Sequence, residues 1–127
     1  MFRLPLGGTA LLDIQQDDTE EGYRICRPVG ELDAFTVSHF RQALAEMASS
    51  PRLIIDLSEV PFVDSAGLGA LIGGIRRARE LGGEVAVACN RPTLVRLLRT
   101  TGFDRIVTVA DSVQQAVESF DSDDTAG

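Results

Sequence analysis

The segment Asp64-Ser65-Ala66-Gly67-Leu68-Gly69 concentrates the residues whose types and order could do chemistry. It sets one hydroxyl beside one carboxylate, just ahead of an apolar run. Leu68, Leu71, Ile72, Ile75 and Ala78 recur at spacings of three, four and seven, so the segment opens a helix, with Ser65 expected at its N-cap. There the Ser65 oxygen would accept from the amide of Gly67 or Leu68. A phosphate on that oxygen would meet unpaired amides and the positive end of the helix dipole. The expected chemistry is acceptance of a phosphoryl group without loss of the helix. Gly67, Gly69, Gly73 and Gly74 each cost a helix about 1 kcal/mol relative to Ala. Gly67 and Gly69 would leave little side-chain cover beside Ser65, opening the hydroxyl to another protein's active site. A plain capping serine, with glycines that let helices pack closely, explains the same residues, and spacing alone leaves both readings open.

Other chemistries fit less well. Asp56, toward the end of the central run Leu53-Ile54-Ile55-Asp56-Leu57, stands where a receiver-type phosphoaspartate would, but that chemistry uses a Lys and all 12 basic residues are Arg. Acyl transfer from Ser65 would want G-x-S-x-G, and Val63 occupies the first glycine position. His39, the 1 histidine, falls in the first helix and reads as a surface residue. Gly67-Leu68-Gly69 is followed by Ile72 where a dinucleotide fingerprint needs its third Gly or Ala. Catalysis by this chain is not expected, nor is a cofactor or a metal. Cys26 and Cys89 each sit in an apolar stretch without metal-ligand spacing and read as reduced, buried thiols.

The elements that must position Ser65 follow from patterning. With 127 residues, 44% hydrophobic, the chain reads as one domain over 1–127, its core about 9–120. Thr9 to Gln16 and Tyr23 to Val29 flank the acidic Asp17 to Gly22 and read as an antiparallel hairpin. Phe35, Phe40, Ala43, Leu44 and Met47 predict a first helix that Thr36 or Asp33 can cap. Leu53 to Leu57 predicts a central strand covered on both faces. The second helix, from near Ser65, stops before Gly82-Gly83. Glu84 to Ala88 is the next strand, and Pro92 starts a third helix, with Leu94, Val95, Leu97 and Leu98 apolar and Gly102 as its stop. Ile106 to Val109 reads as a last strand and Ser112 to Phe120 as a fourth helix; Asp121 to Gly127 is expected to be a disordered tail. The fold class is α/β, a mixed sheet begun by an N-terminal hairpin and packed with about four helices.

A net charge of -7 argues against nucleic acid as a partner. The first residues lack the pattern of a secretion signal, and the longest uncharged apolar run, Ala66 to Ile75, is far short of the roughly 20 residues that span a bilayer. A soluble, cytoplasmic protein without a membrane partner is expected. Arg76, Arg77 and Arg79 read as a solvated helix face, or as a docking site for an acidic partner.

Asp64-Ser65-Ala66-Gly67-Leu68-Gly69, preceded by Leu53 to Leu57 and Val60-Pro61-Phe62-Val63, resembles the D-S-[STA]-G-L-G signature of bacterial anti-sigma factor antagonists of the STAS-domain type. Gly30-Glu31-Leu32-Asp33 resembles that family's G-E-[IL]-D element, and Leu97-Leu98-Arg99-Thr100-Thr101-Gly102-Phe103 its later leucine-rich helix. The match covers roughly Leu11 to Phe120, with the three elements in order. The resemblance implies that the unmodified protein binds an anti-sigma factor, itself an ATP-dependent serine kinase, and so releases a sigma factor. Phosphorylation of Ser65 would end the interaction, and a metal-dependent serine phosphatase would reset it. The surface implied comprises Asp33, Asp64, Ser65, Ala66, Gly67, Leu68 and Gly69, with Asp33 able both to cap the first helix and to contact the kinase. Ala66 stands where the family often has Ser or Thr, which removes a competing acceptor. A STAS domain that is never phosphorylated and serves as a scaffold or ligand-sensing module is the alternative.

Overall fold

Strand β1 (Leu12–Asp18) pairs antiparallel with β2 (Tyr23–Gly30), and β3 (Arg52–Asp56), β4 (Glu84–Ala88) and β5 (Thr108–Ala110) extend the sheet in parallel. The result is a 5-stranded mixed sheet in which spatial order follows chain order. This computed structural model describes residues 12–19 and 21–126, with side chains up to 120. Each parallel step needs a crossover, and α1 (Val37–Met47), α2 (Ser65–Glu80) and α3 (Pro92–Thr100) supply them.

The apolar run of β3 has its reason in two cores. Leu53 and Ile55 join a cluster with Phe40, Leu44, Leu71, Ile75, Leu94 and Leu98, from the three crossover helices. Ile54 faces the other way, into a second cluster with Tyr23, Ala86, Ala88, Ala116 and Phe120 beneath α4 (Val113–Ala126). A strand covered on both faces has no polar alternation to show. Its one charged core position, Asp56, is only 4% exposed and bonded: Oδ2 accepts from Arg27 Nε at 2.8 Å and Oδ1 from the Ser58 amide at 3.0 Å. The strand-end carboxylate is thus a structural partner of β2.

Four boundaries differ from the sequence-based expectation by more than one residue. β1 runs on through Asp17 and Asp18, because on this edge strand both carboxylates stay exposed and meet Arg27 at 3.5 Å and Arg24 at 2.7 Å; Thr9 to Leu11 lie outside the described residues. Phe35 does not enter α1; it sits in the preceding turn, 83% exposed. The last strand starts at Thr108 rather than Ile106, since a 3-10 turn over Phe103–Arg105 buries Phe103 and occupies the chain up to Val107. α4 continues to Ala126, through residues expected to form a disordered tail, since each added turn brings one backbone hydrogen bond per residue; Gly127 is outside the description.

Cys26 and Cys89 are free thiols and both are buried. Burial pushes the Cys26 pKa from 9.0 up to about 12. An unfolded chain would release this proton at a lower pH than the native one, so the group's contribution to stability is full below pH 9.0 and is lost as pH rises toward 12. Urea titrations above this lower limit should show stability falling more steeply for wild type than for Cys26→Ala, by up to about 1.4 kcal/mol per pH unit. Equal slopes would contradict the burial argument.

Candidate functional site

Beyond the end of β2 the backbone keeps running beside the loop that joins β3 to α2. The Gly30 amide donates to Glu59 O at 3.2 Å, the Leu32 amide to Phe62 O at 2.9 Å, and the Asp64 amide to Leu32 O at 3.0 Å. Leu32 and Val63 thereby form an isolated parallel bridge, and both side chains are buried. Their burial fixes the register, because a one-residue slip would turn Leu32 or Val63 out of the core. Gly67 belongs to the same junction: a Cβ there would collide with the Leu32 carbonyl oxygen and lie 2.9 Å from the Leu32 carbonyl carbon. Gly67 is buried, so it does not serve to uncover Ser65.

The N-cap of α2 is Asp64, not Ser65 as expected from the sequence. Asp64 is extended, with φ -97 and ψ -173, and its Oδ1 accepts from the Gly67 amide at 2.9 Å while its backbone oxygen accepts from Leu68 at 2.9 Å. A charged acceptor at the positive end of a helix is stronger than a hydroxyl, and the β-bridge already gives Asp64 the extended backbone an N-cap requires. Asp64 Oδ2 accepts from the Ala34 amide at 3.2 Å, tying α2 to the loop before α1. Ser65 becomes the first residue of the helix. Its side chain is exposed, its hydroxyl has no hydrogen-bond partner among the described residues, and neither do the amides of Ser65 and Ala66.

Asp33 lies beside this junction, partly exposed. Its Oδ1 accepts from the amides of Phe35 at 2.9 Å and Thr36 at 3.1 Å, closing a turn. Thr36 is the N-cap of α1 but makes no capping bond with its side chain; its hydroxyl donates to Glu31 O at 2.8 Å and accepts from the Asp33 amide at 3.1 Å. Asp33 therefore holds the turn leading into the helix rather than capping helical amides. The turn is what carries Phe35 outward, and Phe62, 50% exposed, occupies the other loop of the junction. These two aromatics are the residues that sequence reasoning missed. Asp33-x-x-Thr36 signals a turn that removes Phe35 from the helical stripe, and Phe62 stands between inward-facing Val60 and Val63.

Of the residues expected at the site, Ser65 and Gly69 are exposed, Asp33, Asp64, Ala66 and Leu68 are intermediate and Gly67 is buried. Leu68 packs against the main core. The face presents a nucleophilic hydroxyl, two carboxylates and two aromatic rings. Among the described residues no group of His, Cys, Asp and Glu could hold a metal ion, and no helix is long and apolar enough to cross a membrane. The chemistry this arrangement suits is that of an acceptor, with the activating groups supplied by another protein.

The glycines of α2 should separate by environment. Gly67→Ala is expected to cost about 1–3 kcal/mol through overpacking against Leu32, whereas Gly69→Ala, with nothing within 4 Å of its Cβ, should gain up to about 1 kcal/mol. Asp64→Ala should cost about 1–2 kcal/mol, and Ser65→Ala close to nothing. Urea denaturation of the four variants checks the order; a large loss in Ser65→Ala would return the capping role to Ser65.

Residues 14–116 match the STAS domain family. The anti-sigma F factor antagonist of Paenibacillus polymyxa is 30% identical over 103 residues, which cover 79% of this chain and 88% of that one. The crystal structure of an anti-sigma factor antagonist from Mycobacterium paratuberculosis superposes with a TM-score of 0.79 at 26% identity, covering 90% of this chain and 97% of the other. The Bacillus cell fate determinant SpoIIAA in its phosphorylated form shares the fold, with a TM-score of 0.63, 20% identity and coverage of 85% and 99%. A hairpin-started mixed sheet, an Asp-capped helix opening on Ser65 and these relatives together make the chain a member of the STAS-domain anti-sigma factor antagonist family.

Proposed function

We propose that this protein acts in the cytoplasm as a phosphoswitch: unmodified, it binds an anti-sigma factor that is also a serine kinase and so frees a sigma factor, and phosphorylation of Ser65 ends the binding. The observation that carries this reading is the idle, exposed hydroxyl of Ser65 at the head of a helix whose cap is provided by another residue. In the transfer, Ser65 Oγ bonds to the γ-phosphorus of ATP, the bond from that phosphorus to the bridging oxygen breaks, and ADP leaves. The hydroxyl proton passes to a base of the kinase. A metal-dependent serine phosphatase would hydrolyse the ester and restore the hydroxyl.

The fold survives and the complex does not, for separate reasons. The free amides of Ser65 and Ala66 and the helix dipole favour a phosphate locally, and likeness to a phosphorylated SpoIIAA supports a STAS fold tolerating the group. The modification adds about -1.5 to -2 charges beside Asp64 and near Asp33. A kinase site shaped for a phosphate donor repels that charge. Phe35 and Phe62 supply the apolar contact that a largely acidic chain needs for affinity, in the manner of aromatic anchors.

Incubation with candidate anti-sigma factor kinases and ATP should place a single phosphate on Ser65 by mass spectrometry. Ser65→Ala should bind the kinase and resist inactivation, and Ser65→Asp should bind poorly. Phe35→Ala and Phe62→Ala should each weaken binding about tenfold, near 1.4 kcal/mol, with unchanged thermal midpoints. Asp33→Ala should weaken binding while leaving a folded protein, less stable by about 1 kcal/mol through loss of its turn hydrogen bonds. Phosphate found only elsewhere, or equal affinity of the phosphorylated and unmodified forms, would overturn the switch and leave a scaffold.

A further inference from the structure

Between α1 and α2 runs a groove of about 470 Å³ with an apolar floor of Leu44 and Ala70 and a basic rim of Arg41, Arg76 and Arg77; Glu80 also lines it. None of the three arginines has an ion pair or side-chain hydrogen bond among the described residues. By contrast, Arg24 and Arg27 of the sheet are paired with carboxylates, and Arg79 donates to Ile106 O. In a chain of net charge -7, unpaired cations gathered over an apolar floor are complementary to an acidic, partly apolar partner.

The groove's α2 wall is bare. A Cβ on Gly69 or Gly73 would meet nothing within 4 Å, whereas Gly67 is demanded by the Leu32 backbone and Gly74 is crowded by the Leu44 side chain. Nothing inside the monomer therefore asks for glycine at 69 and 73, despite its cost to a helix. Ser65, Gly69 and Gly73 follow one another at successive turns of α2, so the groove opens onto the Ser65 face.

We propose that this groove docks an acidic, amphipathic helix of the same anti-sigma factor that engages Ser65, with Arg41, Arg76 and Arg77 pairing its carboxylates and the bare wall admitting its backbone. The inference rests on the function proposed above. Long-range attraction at the arginines orients the encounter, and the groove lengthens the interface beyond the phosphorylation site.

The test uses the full chain and a purified anti-sigma factor kinase that phosphorylates Ser65. Calorimetry should show Arg76→Glu/Arg77→Glu binding about tenfold more weakly with a flatter salt dependence. Gly73→Leu, which fills the groove and suits a helix better than glycine, should bind about tenfold more weakly with an equal or higher thermal midpoint. Arg96→Glu, a charge reversal on α3 outside the groove, should stay within about twofold of wild type. Unchanged affinity in the groove variants, or an equal loss in Arg96→Glu, overturns the docking proposal while Ser65→Asp still abolishes binding. If Ser65→Asp also binds like wild type, or no kinase modifies Ser65, the reading it rests on falls with it.

Discussion

The backbone of Leu32 holds the site together. Its amide donates to Phe62 and its carbonyl accepts from Asp64, so a residue two positions beyond the end of β2 pins the loop that launches α2. The buried Leu32 and Val63 side chains hold the pairing in register. Everything at the surface inherits its place from this bridge. Asp64 is extended and ready to cap, Asp33 and Phe35 are carried on the turn that follows, and Gly67 is required because no Cβ fits against the Leu32 carbonyl.

A division of labour among neighbouring side chains follows. The two carboxylates most exposed to mistaken identity as catalytic groups are occupied with backbone amides: Asp64 with Gly67 and Ala34, Asp33 with Phe35 and Thr36. The Ser65 hydroxyl, between them in function, bonds to none of the described residues. A hydroxyl that holds nothing can be modified without dismantling what surrounds it, while the charge it gains is felt by whatever approaches from outside. The geometry thus separates the groups that hold the frame from the hydroxyl that is free to react, within a few residues.

Local chemistry was legible in the sequence and non-local constraint was not. β4 spans Glu84–Ala88 as the pattern predicts, α3 begins at Pro92, and Gly102, with φ 78, follows directly on the end of α3; each signal is carried by the residues themselves. From the sequence the α2 cap reads as Ser65, a good cap in its own right, but Asp64 beside it is as good, and the bridge to Leu32 selects Asp64. Gly67 looked like an opening beside Ser65, since the backbone it accommodates comes from a distant part of the chain. Phe35 fitted the helical spacing of α1, but the Asp33 turn takes it out of that helix. Asp56, buried and paired with Arg27, was recognisable as a strand end but not as a partner of β2.

The central claim is that the frame around Ser65 does not depend on its hydroxyl, so that phosphorylation alters the interface and not the fold. Amide hydrogen exchange on the unmodified and Ser65-phosphorylated protein tests this most directly. The account predicts that the amides of Leu32, Asp64, Gly67 and Leu68 keep their protection, and that new protection appears at Ser65 and Ala66 as the phosphate takes up their free N–H groups. Loss of protection at Leu32 and Asp64 on phosphorylation would show that the modification breaks the bridge, and would contradict it.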